Sequence, residues 1–203
     1  MIVYDFFSGT GSSTKAFEDA GHHVFRFDID TQFSANYVDL MDVTANDLKA
    51  YYGKPDFIWA SPPCTAFSVA GVSHHFNKDG STKSQTAIQG IALLAKTIQL
   101  IKELKPKHWV IENPRGMMRK QEMLAGFKRS TVTYCQYGDT RMKPTDLWHN
   151  LDWTPRLACK NGDKCHQAAP RGSKTGTQGL KNAKLRSQVP YELGKEILTS
   201  VDN

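Results

Sequence analysis

Two prolines and a cysteine mark the place in this chain where chemistry is best prepared. In Ala60-Ser61-Pro62-Pro63-Cys64-Thr65-Ala66-Phe67-Ser68, an apolar run, Phe57-Ile58-Trp59-Ala60, stops at Pro62 and Pro63. Proline fixes φ and lacks an N–H, so neither residue can continue a central strand ladder. The chain must leave the sheet there. Cys64 then stands at the mouth of a strand, where open α/β sheets bind ligands. A deprotonated thiol in that position is a nucleophile. A single cysteine is more often a small core hydrophobe, but the prolines argue for exposure. A second apolar run, His108-Trp109-Val110-Ile111, ends at Glu112-Asn113-Pro114. Both ends open on the same edge of a parallel sheet, and an acid beside a cysteine is a layout for covalent catalysis.

A turn of small residues, Ser8-Gly9-Thr10-Gly11-Ser12-Ser13, follows the apolar Ile2-Val3-Tyr4-Asp5-Phe6-Phe7. Gly9 and Gly11 let a ligand approach the backbone, and the helix that follows offers free N–H groups. The spacing is not that of a phosphate loop. Alone, such a turn is as readily explained without a ligand. Asp28, at the end of the next strand, can accept hydrogen bonds from the hydroxyls of a ribose. Asp39, at the end of the third, can meet an adenine amino group. The plain alternative for either is a cap or turn residue. The ordered series of strand ends argues for a nucleoside-containing cofactor.

Cys159 and Cys165-His166 put two thiols and an imidazole within eight residues. They suit part of a zinc site, with His149 or Cys135 as the fourth ligand. The spacing matches no common finger pattern, so the reading taken is free structural thiols and no metal. His74-His75 carry no catalytic mark.

The elements that must hold these groups alternate. Strands are expected at residues 2–7, 23–27, 37–40, 57–60, 108–111 and 131–135. Helices are expected at 14–20, 45–52, 86–104, 117–127 and 191–198. Thr44 and Asp47 suggest a capping box for the second helix. Residues 65–83 form a long irregular stretch with Gly71 and Gly80, and loops of that length are usually functional. Alternation of this kind means an α/β fold with a doubly wound, parallel sheet.

The chain has 203 residues, 39% of them hydrophobic, which suits one domain. It shows no signal peptide and no run of about 20 apolar residues, so a soluble, cytoplasmic protein with reduced cysteines is expected. Its net charge is +6. Between Asn150 and Pro190 stand eight basic residues, Arg156, Lys160, Lys164, Arg171, Lys174, Lys181, Lys184 and Arg186, against Asp152 and Asp163. That surplus equals the net charge of the whole chain. A basic, Gly-rich segment suits a nucleic acid, or a solvated loop.

Three stretches together resemble the DNA (cytosine-5)-methyltransferases. They are Asp5-Phe6-Phe7-Ser8-Gly9-Thr10-Gly11, Ser61-Pro62-Pro63-Cys64-Thr65-Ala66-Phe67-Ser68, and Lys105-Pro106-Lys107-His108-Trp109-Val110-Ile111-Glu112-Asn113-Pro114. The resemblance covers about residues 1–149, plus a weaker closing motif at 186–197. It implies a Rossmann-like, mostly parallel sheet that binds S-adenosylmethionine over Phe7, Gly9, Gly11 and Pro63, with Asp28 at the ribose and Asp39 near the adenine. It implies that Cys64 attacks carbon 6 of a flipped-out cytosine while Glu112 holds N3. Ser61 and Asn113 would contact the base. The family's Gln-x-Arg-x-Arg motif is not plainly present, and Arg141 or Lys143 is expected to take its place.

The closing motif, Arg186-Ser187-Gln188-Val189-Pro190-Tyr191, lacks the family's Asn. The expected division is a catalytic domain at 1–149, a short basic segment at 150–186 in place of a target-recognition domain, and a C-terminal helix at 187–203. The expected partner is double-stranded DNA, bound by a monomer largely through phosphates and hence salt-sensitively. The setting is a bacterial or phage-infected cell, where a small modification enzyme would mask DNA from restriction. Alternatives are a tRNA cytosine-5 methyltransferase and a catalytically inactive nucleic-acid-binding relative.

Overall fold

In the computed structural model, which describes residues 1–33, 35–69, 71–168, 180 and 182–202, the chain opens with strand β1 (Ile2–Phe6). Helix α1 (Lys15–Asp19), strand β2 (His23–Asp28) and the two-residue strand β3 (Asn36–Tyr37) follow. Next come α2 (Ala45–Tyr52), β4 (Phe57–Ala60), the single turn α3 (Val72–His75) and the long α4 (Gln85–Leu104). Strand β5 (His108–Pro114) leads through two 3-10 turns, Met117–Lys120 and Glu122–Leu124, into β6 (Lys128–Thr133). A third 3-10 turn (Tyr134–Tyr137), strand β7 (Pro144–His149) and helices α5 (Ala183–Ser187) and α6 (Tyr191–Val201) complete the order. Among the described residues no helix is long and apolar enough to cross a membrane.

The strands form one sheet in the order β3-β2-β1-β4-β5-β7-β6. The first five pair in parallel, and β7 is antiparallel to both its neighbours. Central strands are apolar throughout because helices cover both faces. On one face Tyr4, Phe6, Phe27 and Ile58 meet Leu48 of α2 and Leu94, Ile98 and Ile101 of α4. On the other, Val3, Phe57, Trp59 and Val110 meet Phe17 of α1 and Leu193 and Ile197 of α6. The doubly wound, mostly parallel architecture is therefore the one expected. The capping box of α2 is present: the Thr44 side chain accepts from the Asp47 N–H, and the Asp47 carboxylate accepts from the Thr44 N–H.

Several local expectations change. The third strand is Asn36–Tyr37 rather than residues 37–40, so Asp39 lies in the turn beyond it. Strand β5 runs on to Pro114, so Glu112 and Asn113 lie within the ladder, opposite Leu147 and Asp146 of β7. The helix expected over 117–127 is two 3-10 turns, and β6 ends at Thr133, where Tyr134 begins another. Strand β7 was not expected at all. The stretch at 65–83 is tied down by buried Phe67 and Phe76 and by a bridge from Phe76 to Thr82.

Strand β1 carries a fully buried carboxyl group. Asp5 Oδ2 accepts from the hydroxyls of Ser13 and Thr14, while Oδ1 has no partner. Burial pushes this group from its ordinary 3.8 up to about 7. Between those values the folded protein keeps a proton that the unfolded chain has lost. This contribution to stability is full below the unfolded value and is lost as pH rises through about 7. The melting temperature should fall between about pH 4 and pH 7, and Asp5→Asn should flatten that slope. An unchanged slope in thermal melts of the variant would place the titration elsewhere.

Candidate active site

Phe6 lies opposite Ala60 in the β1–β4 pair, and Ala60 opposite Ile111 in the β4–β5 pair. The loops after β1 and β4 and the end of β5 therefore leave one sheet edge side by side. Strand order reverses between β1 and β4, because the chain builds out to β3 on one side before crossing to β4. Crevices at such reversals, at the carboxyl ends of the strands, are where open α/β sheets hold ligands.

The β1 turn is built for backbone exposure. Phe7, Gly9 and Gly11 all have positive φ, at 59°, 50° and 72°. The left-handed region is costly for phenylalanine, and such strain gathers at functional turns. Gly11 N–H donates to the Ser8 carbonyl and Ser8 N–H to the Phe27 carbonyl. Asp28 Oδ2 accepts from the Gly9 N–H, and Oδ1 from the Asp30 N–H. Asp28 thus fastens the turn, and a carboxylate with about four acceptor positions keeps room for ligand hydroxyls. Asp39 accepts from the Met41 N–H as a turn residue and remains half-buried.

Two contacts to this turn escape sequence reasoning. Val189 N–H donates to Ser12 Oγ, and Gly194 of α6 sits so close that a Cβ there would lie 2.9 Å from the Ser13 carbonyl. The C-terminal segment braces the turn from behind. The buried Ser8 Oγ has no hydrogen-bond partner. Positive-φ glycines, a spare hydroxyl and a half-used carboxylate at a strand-order reversal fit a nucleoside-bearing cofactor.

Cys64 is exposed, two residues beyond buried Pro62. Its carbonyl accepts from the N–H groups of Phe67 and Ser68, which coils the segment into a tight turn. Met117 N–H donates to the Phe67 carbonyl at 2.7 Å. A Cβ on Gly116 would lie 2.1 Å from that oxygen, so the close approach itself demands glycine. Asn113 Nδ2 donates to the Pro62 carbonyl at 2.7 Å, and its side chain is wholly buried. Asn113 therefore holds the cysteine loop from inside, while its Oδ1 has no hydrogen-bond partner. Ser61 Oγ accepts from Trp59 Nε1, and Pro63 is exposed beside the thiol.

Glu112 is 5% exposed, and its carboxylate accepts from the Tyr134 hydroxyl at 3.0 Å. Burial, and then the Glu112 charge, push the Tyr134 phenol well above its ordinary value, so it remains a donor. Of the two basic candidates, Arg141 is already engaged. It pairs with Asp139 and donates to the carbonyls of Leu185, Arg186 and Gln188, tying down the segment before α6. Lys143 stands nearer the chemistry. Its Nζ lies 4.6 Å from the centre of the Tyr134 ring and donates to the Arg186 carbonyl.

The thiol, acid and amine act on one another. Although the residue keeps access to solvent, the protein around its thiol desolvates the thiolate and pushes the Cys64 pKa up, and Glu112 adds to that, while Lys143 and Arg186 pull it down. Burial lowers Lys143, and Glu112 and Cys64 hold it up. Alkylation of Cys64 by iodoacetamide, followed on its own peptide by mass spectrometry, should therefore accelerate well into alkaline pH. Lys143→Met should shift that profile further up and slow alkylation at neutral pH, because less of the thiol is then ionised. An unchanged profile would mean that Lys143 does not act on the thiol.

On the other flank, Cys135, Cys159, Cys165 and His166 bring their ligand atoms within 4.8 Å of one another. The cysteines are free, as expected, and three of them stand in one cluster with an imidazole. His149 stays out of it: its Nε2 meets Ser130 Oγ and its Nδ1 accepts from the Leu151 N–H. In the basic segment, Arg156 pairs with Glu196, and Lys184 stacks over Phe33. Arg171, Lys174 and Lys181 lie outside the described residues.

Residues 1–131 match the family model for C-5 cytosine-specific DNA methylase. A curated protein of Frog virus 3 (isolate Goorha), named as a probable DNA (cytosine-5)-methyltransferase, is 29% identical across 98% of this chain and 99% of its own length. Among solved structures, a mutant of Spodoptera frugiperda DNMT2 superposes with a TM-score of 0.50 at 17% identity. That match covers 79% of this chain and 56% of the other, and it reports on the fold.

Proposed function

Because the chain belongs to the C-5 cytosine-specific DNA methylase family, we propose that it methylates carbon 5 of cytosine in DNA through a covalent adduct on Cys64. The observation that carries this reading is the joint placement of an exposed thiol, a buried and hydrogen-bonded acid, and a lysine that acts on both. The similarity of the Frog virus 3 protein along nearly its full length supports DNA as the substrate.

S-adenosylmethionine, the methyl donor of this family, supplies an electrophilic methyl group. Phe7, Gly9, Gly11 and Pro63 would hold it, with Asp28 at the ribose and Asp39 at the adenine. The cytosine must leave the base stack, because carbon 6 is out of reach inside a duplex. The Cys64 thiolate forms a bond to carbon 6, and the ring electrons move toward N3 and carbon 5. Glu112, kept in place by Tyr134, gives a proton to N3 as charge builds there. Lys143 stabilises the thiolate before attack and the base carbonyl after it. Carbon 5, now nucleophilic, takes the methyl group. Loss of the carbon-5 proton to solvent then breaks the sulfur–carbon bond and returns the thiolate, and N3 gives its proton back to Glu112, which restores the neutral aromatic ring.

Asn113 and Arg141 are positioning residues here. One fixes the loop that carries Cys64, and the other fixes the strap before α6. The test is methyl transfer to duplex DNA and, in parallel, to tRNA, with nucleoside mass spectrometry of both. The expected result is 5-methylcytosine in the DNA. Product confined to tRNA, or a product other than 5-methylcytosine, would overturn the proposal.

A further inference from the structure

We propose that Cys135, Cys159, Cys165 and His166 hold a structural zinc ion that fastens the segment after β7 to the catalytic body. Within a cluster spanning 4.8 Å, three of the edges between ligand atoms have the lengths that a tetrahedral zinc would need. Bonds of about 2.3 Å to sulfur and about 2.0 Å to nitrogen set the tetrahedral edges at about 3.8 Å between sulfurs and about 3.5 Å between sulfur and nitrogen. The Cys135–Cys165 sulfurs are 3.7 Å apart, and His166 Nδ1 is 3.5 Å from Cys165 Sγ and 3.6 Å from Cys159 Sγ. The Cys135–Cys159 edge, at 3.1 Å, is shorter and must open slightly to admit the ion. It is also well beyond the roughly 2.05 Å of a disulfide.

From Leu157 to Ala168 nothing apolar does this fastening. Leu151 and Trp153 are buried, but from Leu157 to Ala168 no residue is, and Leu157 is 90% exposed. The segment has no helix or strand. Its Cys159 and Cys165 nevertheless face Cys135, in the 3-10 turn that follows β6. Cys159 N–H donates to Thr133 Oγ1, Gln167 N–H to the Thr140 carbonyl, and Gln136 Nε2 to Cys165 Sγ. The last is the kind of outer contact that steadies a metal-bound thiolate. A segment too poor in apolar residues to pack gains its order from a metal instead.

Four protein ligands fill a tetrahedral shell, so the site is structural and leaves no position for a reacting water. Binding displaces three thiol protons, while the imidazole binds neutral through Nδ1 and keeps its proton on Nε2. The loaded centre carries one negative charge, and its affinity falls in acid. Cys135 adjoins Tyr134, whose hydroxyl holds Glu112, so the knot also steadies one wall of the active site.

The test is elemental analysis of the full chain, purified under reducing conditions with neither added metal nor chelator. About one zinc per chain is expected, with cobalt substitution giving the intense visible bands of a tetrahedral thiolate site. Cys159→Ser and Cys165→Ser should each lower bound zinc at least about tenfold. A strong chelator should lower the melting temperature of the wild-type protein, and added zinc should restore it. Should the variants fail to fold, the wild-type stoichiometry and cobalt spectrum still decide. Substoichiometric zinc that added zinc or cobalt does not raise would overturn the proposal. So would unchanged zinc in both variants, or a Cys135–Cys159 disulfide in the reduced preparation.

Discussion

Cys64→Ala should reduce methyl transfer to background, a loss of at least about 10⁴-fold, because no other group can form the bond to carbon 6. The thiol is exposed and its turn is held by backbone contacts from Phe67 and Ser68. Its removal should leave the fold intact. Titration calorimetry with S-adenosylmethionine should give the same affinity for the variant as for the parent, since the β1 turn is braced independently by Asp28 and Val189. Residual transfer within tenfold of the parent would remove Cys64 from the mechanism.

Glu112→Gln should slow transfer by about 10²–10⁴-fold, the usual contribution of a placed proton donor or acceptor. The amide has the same shape and still offers an oxygen to the Tyr134 hydroxyl, so the loss is chemical rather than structural. Thermal melts of the two proteins should agree within a few degrees, and single-turnover rates should carry the difference. Near-parental rates would assign proton transfer to another group.

The parts of the site legible in the sequence were those whose residues announce their own backbone. Pro62-Pro63 forces the chain off β4, and Gly9 and Gly11 adopt the positive φ that only glycine takes freely. Neighbouring parallel strands then bring Cys64 and Glu112 to one edge. Local pattern fails where burial is compensated from far away. Strand β7 carries wholly buried Asp146 and nearly buried His149, which break any apolar pattern. Arg119 satisfies Asp146 with two bonds, and Ser130 and the Leu151 N–H satisfy His149. Tyr134 escapes in the same way, reading as one more residue of a strand until its hydroxyl meets Glu112. Arg141 and Lys143 differ by two positions in sequence, and only the Asp139 carboxylate and three carbonyls claiming Arg141 separate their tasks. The sequence left the fourth partner of Cys159, Cys165 and His166 open between Cys135 and His149, and only the fold, which sets Cys135 beside Cys159 and gives His149 to Ser130 and Leu151, separates them.

The proposed attack of Cys64 on carbon 6 of cytosine is open to a direct test. Fluorine at carbon 5 blocks the final proton loss and leaves the enzyme bound. Duplex DNA substituted with 5-fluorocytosine, incubated with the protein and S-adenosylmethionine, tests it directly. The expected result is an adduct that survives denaturation, maps by peptide mass spectrometry to Cys64, and is absent from Cys64→Ala. An adduct on another residue, or none from a protein that binds both DNA and S-adenosylmethionine, would contradict it.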